Sequence, residues 1–281
     1  MDRFEIKDGE FREIENAYCK GRNCRPPPFL IPLIVLVEIV VFVYYTVAAS
    51  KDNNPYNDVT AFSGNPNSSS LTYYPEKRHE VWRFVTYIFM HNGYVHLIIN
   101  VLAQLILGCF LEWFHKYWRV GIVFLGGVIG AVFVLAVTVP YNSLDGAGGG
   151  AYALAGAQSA VVLMNWKDLY IQWYWCGFDI FNLGYFWFLV IFLLVIGDGT
   201  LIIYDKLISE NPLHISVASY IGGFVIGFLL GVIVLRPRKM ERWLKILTWI
   251  CVVLLTILVL MSVTFLSICG RSGWCPPIKL D

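Results

Sequence analysis

The chain has 281 residues, 57% of them hydrophobic and 16% aromatic, with only 15% charged and a formal net charge of +1. Soluble domains carry about 25% charged residues, so this composition excludes an ordinary water-soluble fold and describes a membrane protein. The near-neutral balance gives no reason to expect nucleic acid as a partner, and the seven scattered cysteines lack the paired spacing of zinc sites, so neither metal nor cofactor is expected.

Residues 1–28 mix both signs of charge and read as a short cytosolic arm. Met1–Arg25 contains no apolar run of the signal-peptide kind, so the first hydrophobic segment is expected to act as an internal signal that stays in the protein. Cys19 and Cys24 in this arm are expected to be free thiols, with palmitoylation as the alternative. Pro26–Pro28 stop any helix, and 29–49 then supplies one membrane span. Glu38 falls inside it, and a carboxylate at that depth should face other helices.

Residues 50–93 form a polar loop followed by a membrane-interfacial segment. Asn67-Ser68-Ser69 is a glycosylation sequon, usable if the loop is lumenal. Trp82, Phe84, Tyr87 and Phe89 surround Arg83, an aromatic and basic cluster suited to the membrane–water interface. Further spans are expected at 94–112, 119–140, 149–165 (short, its start recessed), 184–204, 213–235 and 243–268, with 269–281 as a tail. The Trp/Tyr cluster at 170–187 reads as an interfacial belt, and Asp198 as an interfacial or paired carboxyl.

With the amino terminus in the cytosol, 14 of the 21 Lys and Arg residues fall on the cytosolic side, as the positive-inside rule requires. Seven spans then put the carboxyl end in the lumen or outside the cell, on the same side as Asn67 and the loop before Gly148. A lumenal tail would allow a disulfide between Cys269 and Cys275.

Three motifs carry chemistry in combination. His91-x4-His96-x3-Asn100 lies on the second span, Gly146-Ala147-Gly148-Gly149 with Tyr152-Ala153-Leu154 opens the fourth, and Gly222, Gly223 and Gly227 lie on the sixth. With Trp82-Arg83 and Gly108-x3-Glu112, they resemble the core of the rhomboid intramembrane serine proteases between about Tyr74 and Leu235. The fold that this resemblance implies is an all-α membrane bundle of seven transmembrane helices, a six-helix core (94–235 with the first span) plus one carboxyl-terminal helix, as in secretory-pathway members. By the same resemblance, His96 and Asn100 stand near the oxyanion, His91 and Tyr152 line the site, and Trp82, Arg83, Glu112, Gly146, Gly149, Gly223 and Gly227 are structural.

The catalytic pair departs from that pattern. The family's G-x-S-G serine is replaced by Gly148, which has no nucleophile, and alignment on Gly223 and Gly227 puts Tyr220 in the histidine's place. A phenol with an ordinary pKa near 10 is a poor general base. Substitutes are badly placed: Ser143 is five residues before Gly148, Ser159 lies about 16 Å along the helix, Ser219 points about 100° away from Tyr220, and His214 is about 9 Å from it. The spacing of five between His91 and His96 does not stack two metal ligands, so both also read as satisfied interior histidines. Small residues let helices approach closely in lipid, so Gly149 and Gly150 are expected to meet Gly223, Gly227 and Gly231. The Tyr220 ring is expected to fill the gap over Gly148, its hydroxyl bonded to backbone or to His96.

The reading that follows is a rhomboid-like pseudoprotease of the secretory pathway (endoplasmic reticulum, Golgi or plasma membrane) that binds single-span transmembrane clients within membrane lipid. The alternative is an active intramembrane endopeptidase with a non-standard nucleophile. A channel or transporter would show inverted repeats or paired broken helices, and neither is visible.

Overall fold

A computed structural model of the chain describes residues 27–51, 59–61, 69–165, 174–175, 178–179, 183–208, 216–235, 237 and 241–278. Asn67, Cys19, Cys24, Cys176 and His214 lie outside the described residues, as do Tyr170, Trp173 and Phe181 of the 170–187 aromatic cluster. Among the described residues seven long helices follow in chain order: α1 (Leu30–Lys51), α2 (Gly93–Phe114), α3 (Tyr117–Thr138), α4 (Gly148–Met164), α5 (Leu183–Ile208), α6 (Val217–Val234) and α7 (Arg242–Ser272). All but α4 are long and apolar enough to cross a membrane. A 22-residue helix such as α1 rises about 33 Å, slightly more than the hydrocarbon thickness. A two-residue ribbon, β1 (Tyr174–Trp175) against β2 (Phe178–Asp179), sits between α4 and α5.

Alpha-4 is the axis of the bundle. Every residue from Gly148 to Gln158 is buried, and the run is Gly and Ala except for Tyr152, Leu154 and Gln158. A helix enclosed on all sides in lipid cannot draw on hydrophobic exclusion and must rely on close packing, which small residues permit. Three tetrad registers interlock there. A side chain at Gly223 would fall on the carbonyl of Gly149, one at Gly227 on the backbone of Ala153, and one at Gly231 on Ala157. On the other flank Gly127 of α3 meets Ala153, and Ala131 meets Gly149. Gly150 departs from the expected pairing: it faces Phe124 of α3 instead of α6, because one residue of helix turns it about 100° away from Gly149.

Alpha-1 is tied to α2 at two levels. Glu112, at the end of α2, accepts the backbone N–H groups of Leu30 (3.1 Å) and Ile31 (2.8 Å), two of the orphan donors at the start of α1. Gly108 makes this possible, since a Cβ there would strike Ile31 at 2.8 Å. Deeper, Gln104 donates to one oxygen of Glu38 at 2.8 Å, so the intramembrane acid faces another helix of the chain. Glu112→Leu is expected to lower stability by about 2 kcal/mol because both α1 donors lose their acceptor. Glu112→Gln, which keeps one oxygen, should fall between, with thermal unfolding in detergent as the measurement.

The segment before α2 is anchored rather than merely interfacial. It holds a one-turn helix, Arg83–Thr86, and a 3-10 turn, Tyr87–Phe89. Trp82 is exposed, as an interface residue should be, but Arg83 is only 4% exposed and donates to the carbonyls of Ser69 (3.2 Å) and Thr72 (2.7 Å) while pairing with Glu80. Tyr87, expected at the interface, is fully buried and donates to the Val128 carbonyl at 2.9 Å. Trp187 likewise packs into the core, its ring 4.3 Å from Phe110, instead of joining a belt.

The loops at one end lie together. Tyr73 bridges Leu144, Arg78 donates to the Pro276 carbonyl at 2.7 Å, and Tyr141 donates to Gly273 at 3.2 Å. Alpha-7 runs past 268 into the expected tail and stops at Gly273, which takes a left-handed φ of 73°. Cys269 and Cys275 are disulfide-bonded across that turn.

Candidate functional site

The recessed start of α4 is where the motifs converge. Gly146 adopts a φ of 97°, closed to most side chains, and a Cβ there would lie 2.5 Å from the His96 ring. Both reasons demand glycine. The Gly146 N–H bonds the Tyr87 carbonyl at 3.1 Å, and the Ala147 N–H bonds His91 Nε2 at 3.4 Å. The elements before α2 therefore hold the loop that launches α4.

Two imidazoles stand beside this loop, and each accepts a backbone N–H. His91 Nε2 receives a backbone N–H and is therefore unprotonated. Burial first, then the neighbouring His96 ring, hold His91 well below the usual histidine range. His96 Nδ1 accepts the Asn92 N–H at 3.4 Å, so its ring proton sits on Nε2. That Nε2 lies 3.2 Å from the Tyr220 hydroxyl, and the imidazole is the donor in the pair. Asn100 donates to the His96 carbonyl at 2.8 Å. That bond holds the amide in place on its own helix and uses one of its two N–H donors.

Above Gly148 there is no room for a side chain. A Cβ on Gly148 would land on the Tyr220 ring, with Cδ1 at 2.9 Å and Cζ at 3.0 Å. That ring stacks on Tyr152 at 4.6 Å with planes 7° apart, a sandwich fixed from α4 and α6 together. The expected ring-over-glycine arrangement is what the coordinates contain, with the hydroxyl on His96 as one of its two anticipated partners. Other hydroxyls are committed elsewhere: Ser159 donates to Ala155 at 2.9 Å and Ser219 to Ser216 at 2.7 Å. Among the described residues no group of three His, Cys, Asp or Glu side chains could hold a metal ion.

Sequence reasoning missed three members of this region. Tyr87 fixes the loop from below, and its hydroxyl occupies the space beside Gly149. Asn92 sets the His96 tautomer through its backbone. Asp198, expected at the interface or in a pair, is buried beside Tyr152 instead. Backbone donors leave no trace in residue type, whereas the acid in an apolar span was a visible signal.

A helical membrane bundle that converges on a recessed helix start, flanked by a histidine-bearing span and a glycine-lined one, has the layout of an intramembrane protease scaffold. Comparison with known proteins agrees: the Rhomboid domain model matches residues 78–237, and the chain belongs to the rhomboid family. It is 36% identical to Rhomboid-related protein 2 of Mus musculus over 78% of this chain and 68% of that protein. Against Rhomboid-related protein 3 of Homo sapiens the identity is 32%, over 90% of this chain and 60% of that protein. Inactive rhomboid-related protein 2 of Caenorhabditis elegans is 26% identical over 87% of this chain and 65% of its own length. The chain thus spans between 60% and 68% of these relatives.

Proposed function

We propose that the protein is a rhomboid-fold pseudoprotease that binds single-span transmembrane clients and governs their trafficking, degradation or cleavage by active relatives. The observation that carries this is the Tyr220 ring seated where a side chain at Gly148 would stand. Nucleophile and base are both absent, and the volume between them is filled, while the bundle around them keeps its tight helix contacts. A relative whose name includes the word inactive supports the reading. Single-span growth-factor precursors are the client class to which the resemblance points. The protein is taken to be a multi-pass glycoprotein of the secretory pathway, amino end cytosolic and carboxyl end lumenal, in keeping with its charge bias and its Cys269–Cys275 disulfide.

A second reading, an active protease, has one observation in its favour: a hydroxyl and an imidazole 3.2 Å apart. The polarity of the pair counts against it. His96 donates through Nε2 and so cannot take the Tyr220 proton as a general base must. Native protein in proteoliposomes is expected to leave a fluorogenic transmembrane substrate intact while crosslinking captures it. Product that disappears on His96→Ala would establish the second reading and end the first.

A further inference from the structure

Asp198 lies beside Tyr152 at the margin of the braced cavity and has no role in the chemistry considered so far. It lies on α5 at 1% exposure, and neither carboxylate oxygen is in hydrogen-bonding geometry with a donor among the described residues. The Tyr152 hydroxyl alongside could serve one oxygen only, and it brings no charge. Glu38, the other intramembrane acid, receives the Gln104 amide on one of its oxygens at 2.8 Å. The two helices packed on α5, α2 and α4, carry no Lys or Arg at all. An acid left uncompensated inside a bilayer is expensive, and such residues mark pairing or transport sites.

The surroundings point to a helix as the missing partner. Asp198 is flanked by Gly197 and Gly199, and these glycines differ from those of α4 and α6. A Cβ at Gly197 would meet Ile99 of α2 at an ordinary 3.6 Å, and at Gly199 it would meet nothing within 4 Å. Close packing within this chain therefore does not explain them. The α2–α5 seam is pinned at its other end, where Trp187 packs 4.3 Å from Phe110. Along the outer face of α5, Phe192, Leu193, Val195 and Ile196 are exposed. Small residues beside a polar one are how a transmembrane helix admits a neighbour's backbone and then hydrogen-bonds to it.

We propose that Asp198 anchors a client transmembrane helix that carries a Lys or Arg within its span, docking at the α2–α5 seam beside Gly197 and Gly199. A cation supplies the donors that both carboxylate oxygens lack, and each charge removes the other's burial penalty. Recognition of this kind rests on the client-binding function proposed above and gives it a selecting chemistry.

The test co-reconstitutes the full chain with synthetic polyleucine spanning helices bearing a central Lys, Leu or Glu, and reads association by energy transfer. The Lys helix is expected to associate about tenfold more tightly than the Leu helix, with Glu weakest. Asp198→Leu should abolish the preference, and Asp198→Lys should transfer it to the Glu helix. Asp198→Asn keeps the side-chain shape and should also lose the preference, which covers the case of a leucine variant that misfolds. Equal association of Lys and Leu helices with the native chain, or a preference that survives Asp198→Leu, overturns the proposal. If helices bind the native chain without regard to Asp198, client binding stands and this inference falls. If no helix binds, the wider reading falls with it.

Discussion

Gly148→Ser and Tyr220→His together are expected to yield cleavage of a reconstituted transmembrane substrate, whereas either substitution alone leaves the chain silent. Serine alone fails sterically before it fails chemically. Its Cβ would press on the Tyr220 ring, whose Cδ1 and Cζ lie 2.9 and 3.0 Å from that point, an overpacking strain of about 1–3 kcal/mol. Histidine alone has no hydroxyl to activate and removes the stacking partner of Tyr152. In the double variant the smaller imidazole vacates the ring's volume, and α4 and α6 already approach closely enough at Gly149 and Gly223 to bring the new pair within reach. Product formation about a hundredfold or more above the native background is the expected scale for a working base and nucleophile. The readout is fluorogenic cleavage in proteoliposomes. A double variant that folds, by an unchanged thermal transition, yet cuts nothing would show that supporting groups such as Asn100, now bonded to the His96 carbonyl, have drifted from their catalytic roles.

Gly227→Ala is expected to destabilise the bundle by about 3 kcal/mol, the upper end of core overpacking. The added methyl would meet the Ala153 Cα and carbonyl carbon, the latter at 2.6 Å, and neither is a flexible chain end that can swing aside. Relief requires α4 and α6 to separate along the Gly149–Gly223 and Ala157–Gly231 register, which costs every contact in the row. Gly199→Ala is the matched control. With nothing within 4 Å of its Cβ position, it should change stability by less than about 0.5 kcal/mol. Thermal unfolding in detergent, followed by a thiol probe reacting with the buried Cys251, measures both variants. Equal transitions for the two would mean that the α4–α6 contact is not what holds the core.

The number and kind of helices were legible because a bilayer imposes length and apolarity on each span, and both are properties of residues counted along one dimension. The motif positions were legible for a related reason. Helical periodicity puts His96 over Asn100, and stacks Gly223, Gly227 and Gly231 in one row, whatever surrounds them. The expectation that Gly148 and Tyr220 stand in the serine's and histidine's places needed no coordinates, since it rests on motif spacing alone.

Only the tertiary structure decided what those residues touch. Gly150 turned to Phe124 because the azimuth of α4 is set by neighbours on both sides, which no pattern within α4 encodes. Tyr87 went into the core because the short turn before α2 folds inward onto Val128, although its composition alone suits an interface. The roles of His91 and His96 as acceptors depend on backbone N–H groups at Ala147 and Asn92, donors that every residue type but proline carries. Asp198 was visible as an acid in an apolar run, but that its carboxylate lacks a donor is a fact about three helices at once. Composition and period thus determine the elements and their faces, because those follow from local geometry and the solvent. Partners across the bundle come from packing, and packing is settled only when all the helices are in place.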